Sequence, residues 1–249
     1  MKFDDIGIII SYKKYSENSL IVKILSRNHG VYRGFVKGGL SKKNRAIFQI
    51  GNVISFEWKS RIEDSLGSFY YYDLVKSFIS EIIFDKLKLN CVNSIFSIID
   101  SCFLERENHE ILFEKIYDFL KKLSNSDKNL LLANYIKLEL KILKILGYGV
   151  DLSSCVVTNS VEDLIFVSPK SARAVSRDAA KSYEHKLLKL PQFLLQENHE
   201  IQDDNHIFDG LKLSGYFLEK FVLSHNNVCL YNRKDIEDEV TASLSVINS

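Results

Sequence analysis

Two apolar runs and the turn between them decide the reading of the amino-terminal region: Leu20-Ile21-Val22-Lys23-Ile24-Leu25, then His29-Gly30, then Val31-Tyr32-Arg33-Gly34-Phe35-Val36. The first run is rich in β-branched residues with one inserted charge, the second alternates, and a turn pair between them signals consecutive strands. Upstream, Gly7-Ile8-Ile9-Ile10-Ser11 is another β-branched run; downstream, Ile47–Trp58 and Leu66–Val75 are rich in Phe, Tyr, Ile and Val. Five such runs with no helical period between most of them predict a small antiparallel barrel or sandwich over residues 1–76. Gly34 and Gly51 fall inside strand-like runs, where a barrel needs a bulge or a sharp bend.

Between the third and fourth of these strands lies Lys37-Gly38-Gly39-Leu40-Ser41-Lys42-Lys43-Asn44-Arg45, with four cations, two adjacent glycines and no acid. Such a stretch reads as a flexible loop that lays cations along a phosphate chain while glycine permits close backbone approach. A solvated basic loop without a partner is the alternative from composition alone. Nearby aromatics (Tyr12, Tyr15, Tyr32, Phe35, Phe56, Trp58, Tyr70, Tyr71, Tyr72) supply rings for stacking bases, although most of them must fill the barrel.

From Ser77 onward the apolar period changes from two to about 3.6, the helical value. Ile79–Phe103 is apolar nearly all round, as a buried central helix would be; Leu112, Ile116, Phe119 and Leu123 form a stripe. Asp127 or Ser126 is placed to cap a helix with the apolar face Leu131, Tyr135, Leu138, Ile142 and Ile145, which Gly147 ends. Leu211–Leu223 is a further amphipathic segment, and residues about 150–195, with Pro169 and Pro191, read as a loop-rich insertion. The expectation is an α+β chain of two domains, a barrel over 1–76 and a helical domain over 77–249.

Charge supports that division. The whole chain carries 33 basic and 32 acidic side chains, but residues 1–80 hold 13 and 7, leaving 20 and 25 for the remainder. A basic front half suggests a polyanionic partner, and an acidic back half suggests other contacts. No run reaches the roughly 18 apolar residues of a membrane span, and acids follow the first residues where a secretory leader would be basic and then apolar, so a cytosolic protein is expected. Cys91, Cys102, Cys155 and Cys229 make no C-x-x-C pair and no disulfide framework is expected, with Cys91 and Cys102 set to face one core as buried thiols. The six histidines (His29, His109, His185, His199, His206, His225) are scattered, and Asp203-Asp204 and Glu237-Asp238-Glu239 read as solvated surface. No nucleotide-binding, nucleophile-elbow or zinc-protease motif occurs. A metal-dependent nuclease needs clustered carboxylates, and the first half holds only Asp4, Asp5, Glu17, Glu57, Glu63, Asp64 and Asp73, mostly isolated. A binding protein, not an enzyme, is the better reading.

Several spaced blocks, in this order, carry a resemblance: Gly7-Ile8-Ile9-Ile10, Tyr15–Val22, His29–Gly34, the Lys37–Arg45 loop, Leu143–Leu152 with Cys155, Phe166-Val167-Ser168-Pro169 and Leu190–Leu194. Together they resemble the RecO recombination mediators of bacterial DNA repair. The resemblance implies an OB-fold barrel, a helical carboxyl-terminal domain, and no catalysis. It implies binding of single- and double-stranded DNA, annealing of complementary strands including those coated by the single-stranded DNA-binding protein SSB, and assistance to RecR in loading RecA at gaps. It leaves RecF as a further candidate partner and places the protein in the cytoplasm with the nucleoid. Some members carry a four-cysteine zinc site in the insertion. Here Cys155 stands at the first ligand position, Thr158, Ser176 and Ala179 at the others, so no metal or other cofactor is expected.

Arg33, Lys37, Lys42, Lys43 and Arg45 are the first candidates for phosphate contacts, with Lys13, Lys14 and Arg27 behind them. Lys137, Leu138, Lys141 and Lys144, near Leu140, are the candidate surface for the acidic, apolar-ended SSB tail. A nonspecific RNA-binding barrel protein and a structural adaptor with an incidental basic loop are the alternatives.

Overall fold

The computed structural model describes residues 1–62, 65–196, 204–223 and 230–247. Glu63, Asp64, His199, Asp203, His225 and Cys229, named above, lie outside the described residues. Two compact units make up the chain, Met1–Asn125 and Ser126–Ser249.

Five strands open the first unit: β1 (Lys2–Lys14), β2 (Leu20–Ser26), β3 (Gly30–Val36), β4 (Asn52–Lys59) and β5 (Gly67–Ser77). β1 is long enough to serve two partners. Its first half pairs antiparallel with β4 from Lys2↔Lys59 to Ile8↔Val53, and its second half pairs with β2 from Gly7↔Ser26 to Lys14↔Leu20. A register shift between Ile9 and Ser11 bends the strand where it changes partner, as a bulge does. β2 pairs with β3, and β4 with β5. Two parallel pairs, Gly34↔Gly67 and Phe35↔Ser68, join β3 to β5 and complete the order β1-β2-β3-β5-β4 around the ring. This is the five-stranded OB-type barrel the runs predicted.

The strand ends run beyond the apolar runs. Lys2–Ile6 and Tyr12–Lys14 belong to β1, because a strand facing water on one side accepts charges there at every second residue. Ile47 and Phe48 precede β4 instead of opening it, and Phe48 inserts into the barrel core from a turn. That core is Ile9, Leu20, Val22, Ile24, Tyr32, Val36, Phe48, Ile54, Phe56, Trp58 and Phe69. Gly34 and Gly67 lie where β3 and β5 meet, and a Cβ on Gly67 would stand 2.2 Å from the Trp58 ring. The strand bulges fall elsewhere, in β1 and between β4 and β5. Gly51 sits in the turn before β4 at φ +86°, a left-handed conformation suited to glycine.

Two helices complete this unit. α1 (Lys86–Cys102) is capped by Asp85, whose carboxylate accepts from the Lys88 amide at 3.1 Å. It begins later than the apolar run, leaving Ile83 and Phe84 exposed ahead of it. Cys91 is fully buried and Cys102 partly so. α2 (Glu110–Lys122) buries Leu112, Ile116 and Phe119.

In the second unit α3 (Lys128–Ile145) is capped by Asp127, which accepts from the Leu130 amide at 2.9 Å, and its chain leaves through Gly147 at φ +88°. Leu131, Tyr135, Leu138 and Ile142 are buried along it. The insertion contains a small sheet of order β7-β6-β8, from β6 (Leu164–Val167), β7 (Ala174–Ser176) and β8 (Leu188–Lys189), with a one-turn helix α4 (Arg177–Ala180) after β7. α5 (Asp204–Leu218), continued by a wider turn over Glu219–Leu223, and α6 (Tyr231–Ile247) complete the unit. Among the described residues, no helix is long and apolar enough to cross a membrane.

Candidate nucleic-acid interface

The basic loop between β3 and β4 is a succession of turns tied down at several points, not a flexible excursion. The Ser41 amide donates to the Gly38 carbonyl, the Asn44 and Arg45 amides to Ser41, and the Ile47 and Phe48 amides to Asn44. The Asn44 side chain donates to the Gly38 carbonyl at 3.0 Å and to the Tyr72 hydroxyl at 3.1 Å, and Asn52 holds the carbonyls of Ala46 and Ile47 from below. Phe48 fixes the far end in the core. Its cations are therefore presented on an ordered scaffold, which lowers the ordering entropy lost on binding.

Lys37, Lys42, Lys43 and Arg45 are all exposed, as are Lys13 and Lys14 at the end of β1. None of these six is ion-paired among the described residues. Arg33 and Arg27 differ. Arg33 lies 3.3 Å from a Glu105 carboxylate oxygen, and Arg27 is 2.8 Å from Glu114 while its guanidinium stands over the Phe113 ring. Both are partly neutralised from the same unit, Arg33 by the connection between α1 and α2 and Arg27 by α2. Long-range pairs of this kind leave no local trace in sequence.

Strand register places Lys13 and Lys59 at the two ends of one row across the barrel. Lys13, Ile21 and Phe35 are successive partners across β1, β2 and β3, and Phe35, Ser68 and Lys59 continue the row across β5 and β4. On one side of Phe35 a cleft of about 310 Å³ is lined by Lys13, Lys23 and Arg33 with Tyr12 and Asp100; Lys23 is committed to Asp100 at 2.7 Å. On the other side a groove of about 550 Å³ runs between Lys37 and Lys43 of the loop and Tyr70 and Tyr71 of β5. Lys59 was missed by sequence reading, and its only signal was its outward place at the end of β4.

The nine aromatics sort cleanly. Tyr32, Phe56 and Trp58 are buried in the core, and Tyr72 packs edge-on against Phe48 with ring centres 4.7 Å apart. Tyr12, Tyr15, Tyr70 and Tyr71 are exposed, Tyr71 at 85%, and Tyr15 stands edge-on to half-buried Phe35 at 5.5 Å.

In the second unit, Lys137, Lys141 and Lys144 follow one side of α3. Leu138 is only 5% exposed, so it serves the core and not that surface; Leu140 is half buried. Lys137 lies over the Phe193 ring at 6.0 Å. At the first position of the four-ligand set, Cys155 is buried and its sulfur accepts from the amide and hydroxyl of Ser176 at 3.3 and 3.4 Å. Burial pushes the Cys155 thiol up, but the bonds from Ser176 and Thr158 outweigh it and bring its pKa down to about 6. One sulfur with two hydroxyls and an alanine methyl does not fit a structural zinc, which takes four Cys or His donors. Among the described residues, no group of three or more His, Cys, Asp or Glu could hold a metal ion. Leu164, Phe166, Val167, Ala174, Val175 and Leu190 are buried within the insertion.

Known proteins agree with this architecture. The family model for the amino-terminal region of recombination protein O matches residues 1–78, and that for its carboxyl-terminal region matches residues 84–225. DNA repair protein RecO of Rickettsia typhi is 40% identical over 241 residues, covering 97% of this chain and 99% of that one. Its counterpart in Rickettsia conorii is 42% identical over 227 residues, 91% of this chain and 93% of the relative. With both halves matched in order and nearly the full length aligned, the chain belongs to the RecO family of DNA repair proteins.

Proposed function

We propose that the barrel, residues 1–76, binds single- and double-stranded DNA through the phosphate backbone without sequence preference and anneals complementary strands. Pairing two polyanions is opposed by their mutual repulsion, and cations that neutralise both lower the barrier without any bond being broken. The observation that carries the reading is the set of exposed side chains Lys13, Lys14, Lys37, Lys42, Lys43 and Arg45, unpaired among the described residues, of which Lys37 and Lys43 line an aromatic groove and Lys13 a neighbouring cleft. Arg33 and Arg27 contribute less, because Glu105 and Glu114 already occupy them.

The acidic helical domain, residues 77–249, is assigned to protein contacts, the SSB tail among them; RecR, with which the protein helps load RecA at gaps, is a further partner and RecF a further candidate. The Lys137–Lys141–Lys144 side of α3 suits the acidic tail, whose apolar end would meet Leu140. The protein acts in the cytoplasm at the nucleoid and performs no chemistry of its own.

Fluorescence-monitored pairing of two complementary oligonucleotides, with and without SSB and across ionic strength, tests this reading. Lys42→Ala with Lys43→Ala should weaken binding to unrelated sequences equally. It should also lower the slope of log affinity against log salt by about 1.8, about 0.9 for each phosphate that is no longer neutralised. Unchanged affinity at two salt concentrations overturns the assignment. Titration with an SSB tail peptide tests the helical domain, and absence of binding removes that partner.

A further inference from the structure

The surface of the barrel holds a feature that phosphate binding does not use. Tyr70-Tyr71-Tyr72 follows buried Phe69 in β5. In a regular strand, alternation would turn Tyr70 out, Tyr71 in and Tyr72 out. Instead the pairing with β4 slips: Glu57 faces Tyr70 while Ser55 faces Asp73, which leaves one extra residue on β5 between them. Tyr71 takes up the slack with φ at +45°, a left-handed conformation that tyrosine rarely adopts. The slip turns Tyr72 inward against Phe48 and leaves both Tyr70 and Tyr71 outside, 47% and 85% exposed. The slip serves the core through Tyr72 and at the same time displays two neighbouring rings to solvent.

The surroundings of these rings differ on their two sides. Toward the loop, they share the 550 Å³ groove with Phe35, Lys37 and Lys43. Away from it, Tyr71 borders a second groove lined by Asp4, Asp5 and Glu57 together with Arg27. The loop-side groove sets Lys37 and Lys43 against one acid, Asp73, whereas the other sets Asp4, Asp5 and Glu57 against Arg27, so a polyanion is favoured on the loop side of the tyrosines. A nucleic acid lying there turns its bases toward Tyr70, Tyr71 and Phe35. Every base has a face that stacks on an aromatic ring, but in a duplex that face is already covered by its neighbours.

We propose that Tyr70 and Tyr71, with Phe35 opposite, are a base-stacking platform that makes this groove hold single strands in preference to duplex. The proposal rests on the reading of the barrel as the DNA-binding unit, and deepens it by separating a strand-selective element from the phosphate-binding one.

Fluorescence anisotropy with the full-length protein, an oligo-thymidine strand and a duplex of equal length provides the test. Tyr70→Ala with Tyr71→Ala should lower single-strand affinity about tenfold or more, as expected for lost base stacking, and leave duplex affinity within about twofold. The salt slope should not change, since the phosphate contacts remain. Tyr71→Trp should keep single-strand affinity. Tyr71→Gly removes the ring but suits the left-handed backbone, so it should lose single-strand affinity while melting no lower than the parent chain. Unchanged single-strand affinity in the double variant, or an equal fall for strand and duplex, overturns the platform while leaving the cationic reading intact. Failure of the unmodified protein to bind either DNA at low salt overturns both.

Discussion

At the scale of single residues, Asp5 joins the start of the barrel to its first hairpin. Its carboxylate, almost completely buried, accepts from the Ile6 amide at 2.8 Å, from the amide and side chain of Asn28 at 2.9 and 2.8 Å, from His29 Nδ1 at 2.8 Å, and from the Ser26 hydroxyl. His29 is in turn stacked on Phe3 with ring centres 3.9 Å apart. Burial alone would raise the Asp5 pKa, but the bonds from Ser26, His29, Asn28 and Ile6 together hold it below the usual carboxylate value. A carboxylate whose pKa is depressed by folding contributes stability above its unfolded pKa of about 3.9 and loses it as pH falls through the lower folded value. Asp5→Asn places an amide donor among groups that are themselves donors. It should cost about 1–3 kcal/mol at neutral pH in urea unfolding, and the variant should show a shallower loss of stability below about pH 4. Equal acid sensitivity in variant and parent would show that Asp5 is not the group titrating. The sequence displayed an acid near the amino terminus and a His-Gly turn, but nothing in their spacing of more than twenty residues announced that one would clasp the other.

At the scale of elements, the strands were legible wherever both the buried and the exposed faces spoke, as in β2 and β3. They were illegible where charges occupied the solvent face, so both ends of β1 escaped notice. The basic loop was readable as basic but not as ordered, because its anchors, Asn44 and Phe48, act through contacts with Gly38, Tyr72 and the barrel core. The tyrosine run was visible, while the register slip that exposes two of the three depends on what β4 presents across the ladder. The join between β3 and β5 is the barrel's shortest ladder, and Gly67 lets it close against Trp58. Gly67→Ala would force the ring or the strand aside, at a cost of about 1–3 kcal/mol typical of an overpacked core. Trp58 is the chain's single tryptophan, so its emission reports the change directly. A variant with the parent's emission and midpoint would show that the join yields freely.

At the scale of the whole molecule, the change of apolar period along the chain separated strands from helices, but did not show how the helices of Ser126–Ser249 are held. α3, α5 and α6 meet at one buried ion pair: Arg233 of α6 donates to Glu139 of α3 at 2.8 Å and to the Leu211 carbonyl of α5 at 2.8 Å. Ser214 donates to the same carboxylate at 2.6 Å, Glu237 also pairs with the guanidinium, and Gly215 leaves the room it needs. Burial works against the charged arginine, and Glu139, Tyr135 and Glu237 together outweigh it, raising the Arg233 pKa. Removing one partner strands the other in the interior, so Arg233→Met should cost about 3–5 kcal/mol by urea unfolding. Pairing it with Glu139→Leu should recover most of that loss, since an apolar pair of similar volume needs no counter-ion. No sequence rule links residues 139 and 233, and both read as ordinary helix-surface charges until the helices are packed together. α6 lies beyond residues 84–225, the span matched by the carboxyl-terminal family model. A premature stop a few codons short of residue 233 would therefore do more than shorten the protein: it would leave an anion without its answer between the two helices that remain, and the cell's proteases would find the result before any DNA did.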